Sequence, residues 1–286
     1  MRLQSTYMTP GSAESRDRIW LCQLLIVLAL AESVNAVRQP QISLDFNEQN
    51  FQTLEHNTGV VEITAPGSEF FEQALRLLNL PFESASVEHV QALNMIVLYN
   101  NQLNRQKTAY MYAGQSARLC NMLQLHRQSS SRECSAIERE HRKRIWWSTY
   151  VLDRMTSTST GFLPTLHFEQ TDLDYPSNIG LPAEDAQFAD ADYLTARIQL
   201  TIIEANNSAS IANFGDVDKH DIETAIHPLL TSLNTWKSAL PAHMAMDLAD
   251  GIFQSTRSLQ RARSLANFHL RWNQVRLSLA SFTGPD

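Results

Sequence analysis

Residues that could hold a metal, activate a water or attack a carbonyl are present but not arrayed for it. The three cysteines, Cys22, Cys120 and Cys134, and the nine histidines are scattered along the 286 residues. No Cys-x-x-Cys or His-Glu-x-x-His occurs, so spacing defines no metal cluster. His220 and His227 stand seven apart, which would put both on one helix face. A structural metal needs two further ligands, so these are read as solvated or hydrogen-bonded side chains. The glycine patterns of dinucleotide and P-loop sites and the G-x-S-x-G elbow are absent. Asp153, next to Arg154, could act as a carboxylate base but lacks an indicated acid partner. Both are read as packed, hydrogen-bonded groups among helices. The basic run Arg139, Arg142, Lys143 and Arg144 could mark nuclear import or a phosphate patch. The interleaved Glu138 and Glu140 neutralise part of it, so it is read as a solvated, salt-bridged helix face. The same holds for Arg257, Arg261 and Arg263.

Composition excludes more. The balance of 23 Lys+Arg against 30 Asp+Glu gives a net charge of −7, which disfavours a nucleic-acid grip by the chain as a whole. Nine Gly and ten Pro are too few for collagen-like, low-complexity or turn-dense β architectures. Three cysteines are too few for a disulfide scaffold. With 43% hydrophobic and 19% charged residues, the chain can bury a core and is not disordered. The most apolar stretch, residues 19–31, falls short of the roughly 20 residues a membrane span needs. It has the length of a signal-peptide core, with Val34-Asn35-Ala36 resembling a cleavage site. A secreted or lumenal helical protein, with Cys120 and Cys134 as a pair and a sequon at Asn206-Asn207-Ser208, is therefore the alternative to a buried core helix.

The elements that must position these residues are helices. Residues 1–16 are polar and read as a loose tail. Apolar residues recur at three- and four-residue steps over about 17–34, from 68 to before Pro81, from 86 through Tyr99, and over 108–123, 135–157, 190–213, 218–240 and 253–281. Ser68, Ser86 and Thr108 stand at three starts. Ser135-Ala136-Ile137-Glu138 is a capping box, followed by i,i+4 pairs Glu138–Arg142 and Glu140–Arg144. Past Arg144, Ile145-Trp146-Trp147 and Tyr150-Val151-Leu152 make the helix apolar nearly all round, which places it centrally. Pro228 predicts a kink or restart. Residues 38–67 and 158–189 hold the breakers and read as irregular, with 60–64 a short strand or simply extended. The fold class is all-α: a multi-helix orthogonal or antiparallel array with one long irregular connection, over residues 17–281, with a tail at 282–286.

Several motifs occur in an order that resembles the fungal-specific transcription factor domain, the middle regulatory region of fungal zinc-cluster transcription factors. Phe70 to Ala74 followed by Ser86 to Leu93 resembles its paired opening helices. Tyr110 to Arg118, with Gly114 and Arg118, then Leu123 to Arg127, with His126 and Arg127, resembles its next motif. Gln124 stands where that family often has Gly. Glu138, Arg142, Arg144, Trp146 and Trp147, then Asp153 and Arg154, resemble its acidic-basic helix leading into Trp and Asp-Arg. Gly161 and Pro164, one residue further apart than usual, then Asp172, Asp174 and Pro176, resemble the following segments. Trp236, Leu240-Pro241 and Phe268 to Arg276 resemble the later helices.

The resemblance implies an all-α regulatory domain in the nucleus, acting through protein contacts with the transcription machinery or a full-length factor and open to a small-molecule effector. It implies no catalysis, no membrane, and contact with DNA only indirectly. In that family a separate module with six cysteines holds two zinc ions and reads DNA. The three cysteines here lack that spacing, so no cofactor is expected in this chain, and zinc only in the family module. The expectation is a middle region without its DNA reader.

Overall fold

The computed structural model describes residues 6, 8, 9, 13–38, 65–181, 190–212, 219–244 and 256–280. Residues 60–64 and 282–286, on which two sequence expectations fell, lie outside these. Among the described residues the regular elements are α1 (Ala13–Arg16), α2 (Arg18–Arg38), α3 (Ser68–Leu77), α4 (Val87–Gln102), α5 (Gln106–Met122), α6 (Ala136–Thr160), α7 (Ala191–Ala212), α8 (Lys219–Ser238) and α9 (Thr256–Ala280), with short 3-10 turns between some of them. The described residues contain no strand, so the all-α expectation holds. The chain divides into two compact units: Met1–Leu125 with Ser148–Thr165, and His126–Trp147 with Leu166–Asp286. Helix α6 therefore contributes its first half to the second unit and its second half to the first.

In the first unit α2 begins at Asp17, whose Oδ1 accepts the N–H groups of Ile19 (3.1 Å) and Trp20 (3.2 Å), the expected role of an N-cap carboxylate. Cys22, Ile26, Ala29 and Ser33 follow at steps of four, three and four and are all buried. They form the one stripe by which an otherwise apolar helix joins the core. Val27 and Leu28 on its other side stay exposed, so α2 is buried on one face and not all round. Phe71 and Ala74 of α3, and Ala92, Ile96 and Tyr99 of α4, complete that core. The Phe71 and Tyr99 rings stack at 4.3 Å, and the Tyr99 hydroxyl donates to the Pro66 carbonyl at 2.9 Å.

Ser68 does not cap α3. The cap is Gly67, with φ of 78°, and backbone crowding explains it. A Cβ on Gly67 would lie 2.4 Å from the Ala29 carbonyl oxygen, so the entry to α3 runs directly over α2 and only glycine fits. Ser86 does open α4, its N–H bonding to His89 Nδ1 at 3.2 Å. Thr108 lies within α5, which starts two residues earlier. Gln124, the position where a glycine was expected from the family pattern, takes a left-handed φ of 52°.

The second unit is built on α7, α8 and α9. Ala196, Leu200, Ile226, Leu233, Trp236, Phe268, Trp272 and Val275 form its core. Pro228 neither ends nor restarts α8, which runs unbroken around it from Lys219 to Ser238. Ile226 and Leu233, on either side of the proline, are both buried; packing of that face offsets the backbone hydrogen bond that proline removes.

Gly67→Ala should destabilise the chain by about 2–3 kcal/mol, combining left-handed strain with a backbone clash. Gly161 also has a positive φ, of 73°, but open space at its Cβ position, so Gly161→Ala should cost only about 1 kcal/mol. Urea or thermal denaturation of the two variants checks this; equal losses would contradict the close approach of α3 to α2.

Candidate functional site

Two polar networks, one in each unit, lie among or beside part of the motif residues. In the first unit, Asn94 projects from α4 between the buried positions Val90 and Val97. Its Nδ2 donates to Thr149 Oγ1 on α6 at 2.8 Å, and its Oδ1 accepts the Ser116 hydroxyl of α5 at 2.7 Å. The Cys120 thiol donates to the same Thr149 oxygen at 3.4 Å. Asn94 is 8% exposed, and Ser116, Thr149 and Cys120 are fully buried. A buried amide is tolerated only when paired, so these four groups fix how α4, α5 and α6 face each other.

One turn further along α6, Asp153 is fully buried and its Oδ2 accepts the Thr165 N–H at 2.8 Å. This carboxylate anchors the chain that leaves α6. Arg154 lies over the Tyr150 ring at 5.5 Å. Gly114 is buried on α5, where a Cβ would meet Arg118 Nη1 at 3.4 Å and Thr165 Oγ1 at 3.8 Å. Gly114, Arg118, Asp153 and the segment around Pro164 thus gather at one corner of the unit, whereas Gly161 turns in open space. Among the described residues nothing at this corner pairs a base with a nucleophile. The Asp153 carboxylate holds backbone, the packed role inferred from sequence.

The second network keeps the salt-bridged reading of the basic run and corrects the solvated one at Arg144 alone, since Arg139 is exposed and Arg142 and Lys143 are half-buried. Arg144 is 7% and Glu140 5% exposed. Arg144 Nε donates to Glu140 Oε1 at 2.8 Å, and its Nη2 to Asn178 Oδ1 at 2.7 Å. The same Glu140 oxygen accepts the Ser177 N–H at 2.9 Å, and Lys143 reaches Glu140 Oε2 at 3.1 Å. A buried ion pair of this kind is stable because further hydrogen bonds satisfy its remaining atoms. Arg142 Nε donates to Ser131 Oγ at 3.1 Å. Glu138 stays exposed, its N–H bonding to Ser135 Oγ at 3.2 Å, so the Ser135 cap is in place.

Trp146 and Trp147 are buried and meet edge to face at 4.7 Å. Trp147 Nε1 donates to the Asp174 carbonyl at 3.0 Å, and its ring lies 5.4 Å from that of Tyr175. The Asp172 carboxylate accepts the Gln128 N–H at 2.8 Å, and Asp174 Oδ2 accepts from Gln128 Nε2 at 3.1 Å. The His126 carbonyl accepts the Thr171 hydroxyl at 3.0 Å and the Asp172 N–H at 3.3 Å. Pro176 is buried and Arg127 exposed. His126, Glu140, Arg144, Trp147, Asp172, Asp174 and Pro176 therefore form one tether that holds the irregular segment after residue 166 against α6. Burial and the Arg127 charge push the His126 ring below the ordinary histidine range, with Asp172 opposing.

Sequence reasoning missed Asn94 and Thr149. Asn94 carried a legible signal, a polar side chain at a core step of an apolar helix face. The i,i+4 spacing does pair Glu140 with Arg144, but the burial of that pair, which depends on the distant Ser177, left no signal. The three cysteines are free. Burial pushes the Cys22 thiol up to about 11 and the Cys120 thiol to about 12, which leaves both inert as nucleophiles.

An α-helical unit ordered by these motifs is that of a transcription-regulatory domain, and the comparisons place it. Residues 23–196 match the family model of the fungal specific transcription factor domain, and the chain belongs to that family. The match begins inside α2, so that helix is part of the domain. The chain is 29% identical over 160 residues to the thiamine repressible genes regulatory protein thi1 of Schizosaccharomyces pombe, covering 56% of this chain and 19% of that protein. It is 25% identical over 253 residues to transcription factor FBD3 of Gibberella moniliformis, covering 84% of this chain and 31% of that one. An uncharacterized transcriptional regulatory protein of S. pombe, C3C7.04, is 23% identical over 250 residues, covering 87% and 29%. The chain thus spans about a fifth to a third of the length of these relatives. No solved structure matches it.

Asn94→Ala should cost about 2–3 kcal/mol, because it leaves the buried Ser116 and Thr149 hydroxyls without their amide. Tyr110→Phe, which removes an exposed bond to the Leu163 carbonyl, should cost under about 0.5 kcal/mol. Denaturation midpoints compare the two; a neutral Asn94→Ala would contradict the network.

Glu204, paired with Arg271 (Oε2 to Nε 3.3 Å), gives a pH test. Burial raises its carboxyl above the ordinary range, against the opposing pull of Arg271. The folded state then holds the proton more tightly than the unfolded chain. Its contribution is fully present below the ordinary carboxylate pKa and is lost as pH rises through the raised value. Melting curves from about pH 4 to pH 7 should therefore show Glu204→Gln gaining on the parent as pH rises; a constant difference would contradict this.

Proposed function

We propose that this domain works in the nucleus as a non-catalytic regulatory module that controls transcription through protein contacts, with DNA read by a different module. The observation that carries the reading is the family match over residues 23–196, together with the convergence of the motif residues on structural tethers. Asp153, the carboxylate that the sequence offered as a base, is occupied in holding the Thr165 N–H. A net charge of −7 supports indirect contact with DNA, since a phosphate grip needs a basic surface. The thiamine repressible genes and the fumonisin cluster named for two relatives suggest control of a defined gene set, with the partners being proteins of the transcription machinery or a full-length factor. Zinc has its place in the separate DNA-reading module.

Two measurements test this. Tethered to an unrelated DNA-binding domain upstream of a reporter gene in a fungal host, the 286-residue chain should change reporter output at least threefold, in either direction. The purified chain should give no sequence-specific, salt-dependent retardation of DNA. A silent tethered chain that accumulates as folded protein in the nucleus, or a tight sequence-specific shift by the chain alone, would overturn the proposal.

A further inference from the structure

One surface of the first unit runs against the charge of the whole molecule. The chain carries a net charge of −7, yet residues 89–132 hold Arg105, Lys107, Arg118, Arg127 and Arg132 and no Asp or Glu. Lys107, Met111, Gln115, Arg118 and Met122 follow one another along α5 at steps of four, four, three and four. That spacing confines them to about 80° of the helix circumference, and all five are exposed. Met111 is 63% and Met122 50% exposed. The opposite side of α5, with Ala109, Ala113 and Cys120, is buried.

A second apolar border lies beside this stripe. The Tyr110 hydroxyl donates to the Leu163 carbonyl at 2.8 Å, and the Tyr110 and Phe162 rings lie 5.0 Å apart. These contacts set the turn after α6 along α5, with Phe162 45% and Leu163 84% exposed. Gly114, one turn on from Tyr110, has no side chain, and the Arg118 guanidinium comes within 3.4 Å of its Cβ position. Arg118 therefore lies between the methionines and that turn. Among the described residues neither Lys107 nor Arg118 forms an ion pair.

We infer that this face of α5, with the turn at 161–164, docks an amphipathic helix of a protein partner that carries Leu or Phe flanked by Asp or Glu. Charge complementarity selects the acidic flanks, because two unpaired cations stand among the apolar side chains and this stretch of chain offers no carboxylate to repel a partner. Clustered exposed apolar side chains mark a contact surface, and methionine adapts to a partner's shape. Met111 and Met122 stand about 16 Å apart along α5, three turns of a helix laid alongside. A nucleic acid would use Lys107 and Arg118 but gain nothing from Met111, Met122, Phe162 and Leu163. The inference rests on the regulatory reading above in naming a protein as partner, and it gives that partner a surface and a chemistry.

The probe is a fluorescein-labelled sixteen-residue peptide with Leu or Phe at every third or fourth position and Asp or Glu elsewhere. Titrated with the intact chain, its anisotropy should rise to saturation, and the affinity should fall as salt rises. Lys107→Glu combined with Arg118→Glu should weaken binding about tenfold. Met111→Ser combined with Leu163→Ser should weaken it about fivefold. Arg132→Glu, an exposed cation of the other unit, should bind like the parent. Circular dichroism verifies folding, and if the charge variant does not fold, the apolar variant decides alone. Absence of saturable binding, equal affinity in the parent and the folded variants, or equally tight binding of poly-glutamate or duplex DNA would overturn the inference. A chain that binds the peptide yet leaves the tethered reporter unchanged fails the regulatory reading alone. One that drives the reporter without binding the peptide fails this inference alone.

Discussion

The first unit depends on one buried amide. Asn94 has four hydrogen-bonding sites and little access to bulk water, so the helices around it must bring partners to it. Ser116 and Thr149 are those partners, and they come from two other helices. The apolar residues around them would tolerate small rotations and slides, because hydrophobic contact is not directional. A paired amide does not. It turns a greasy three-helix contact into a single register, at the risk that losing any one member leaves the others stranded in a low-dielectric interior.

The second unit solves a related problem with charge. Glu140 and Arg144 are buried on α6 where a sequence of this kind would normally face solvent. They are stable there because the segment after residue 176 folds back and supplies Asn178 and the Ser177 N–H. The irregular chain from 166 to 181 has little regular structure of its own, and backbone groups in such a segment need partners as much as those of a helix do. The His126 carbonyl, the Asp172 and Asp174 side chains, the Trp147 indole and the Glu140 carboxylate provide them. A loop held at this many points becomes a structural element, although no period in its sequence marks it as one.

This division explains what the sequence could reveal. Helices were legible wherever one apolar stripe repeats, as with Cys22, Ile26, Ala29 and Ser33, and the all-α class followed. Trp146 and Trp147 were legible as core because charges stop at Arg144. The cap of α3 was not, because Gly67 is required by Ala29, a residue 38 positions earlier whose approach no local pattern records. Pro228 does not restart α8: the burial of Ile226 and Leu233 on either side of it favours one continuous helix. Arg144 looked solvated because its neighbours in sequence are charged, whereas its neighbours in space are Glu140 and Asn178. For the site, the sequence offers the motif residues only as a family pattern, and the tethering by Asp172, Asp174 and the His126 carbonyl depends on contacts that no local pattern records.

The cysteines carry a further consequence. Burial pushes the Cys22 and Cys120 thiols well above the ordinary cysteine range, so both stay protonated at neutral pH, and both are fully covered. They behave as packing atoms, Cys120 with one weak donor aimed at Thr149. Oxidants and electrophiles select for exposed thiolate, so these two positions are chemically silent while the fold holds. Their modification would report the opening of the first unit, which makes them built-in sensors of its unfolding and not of the redox state around it.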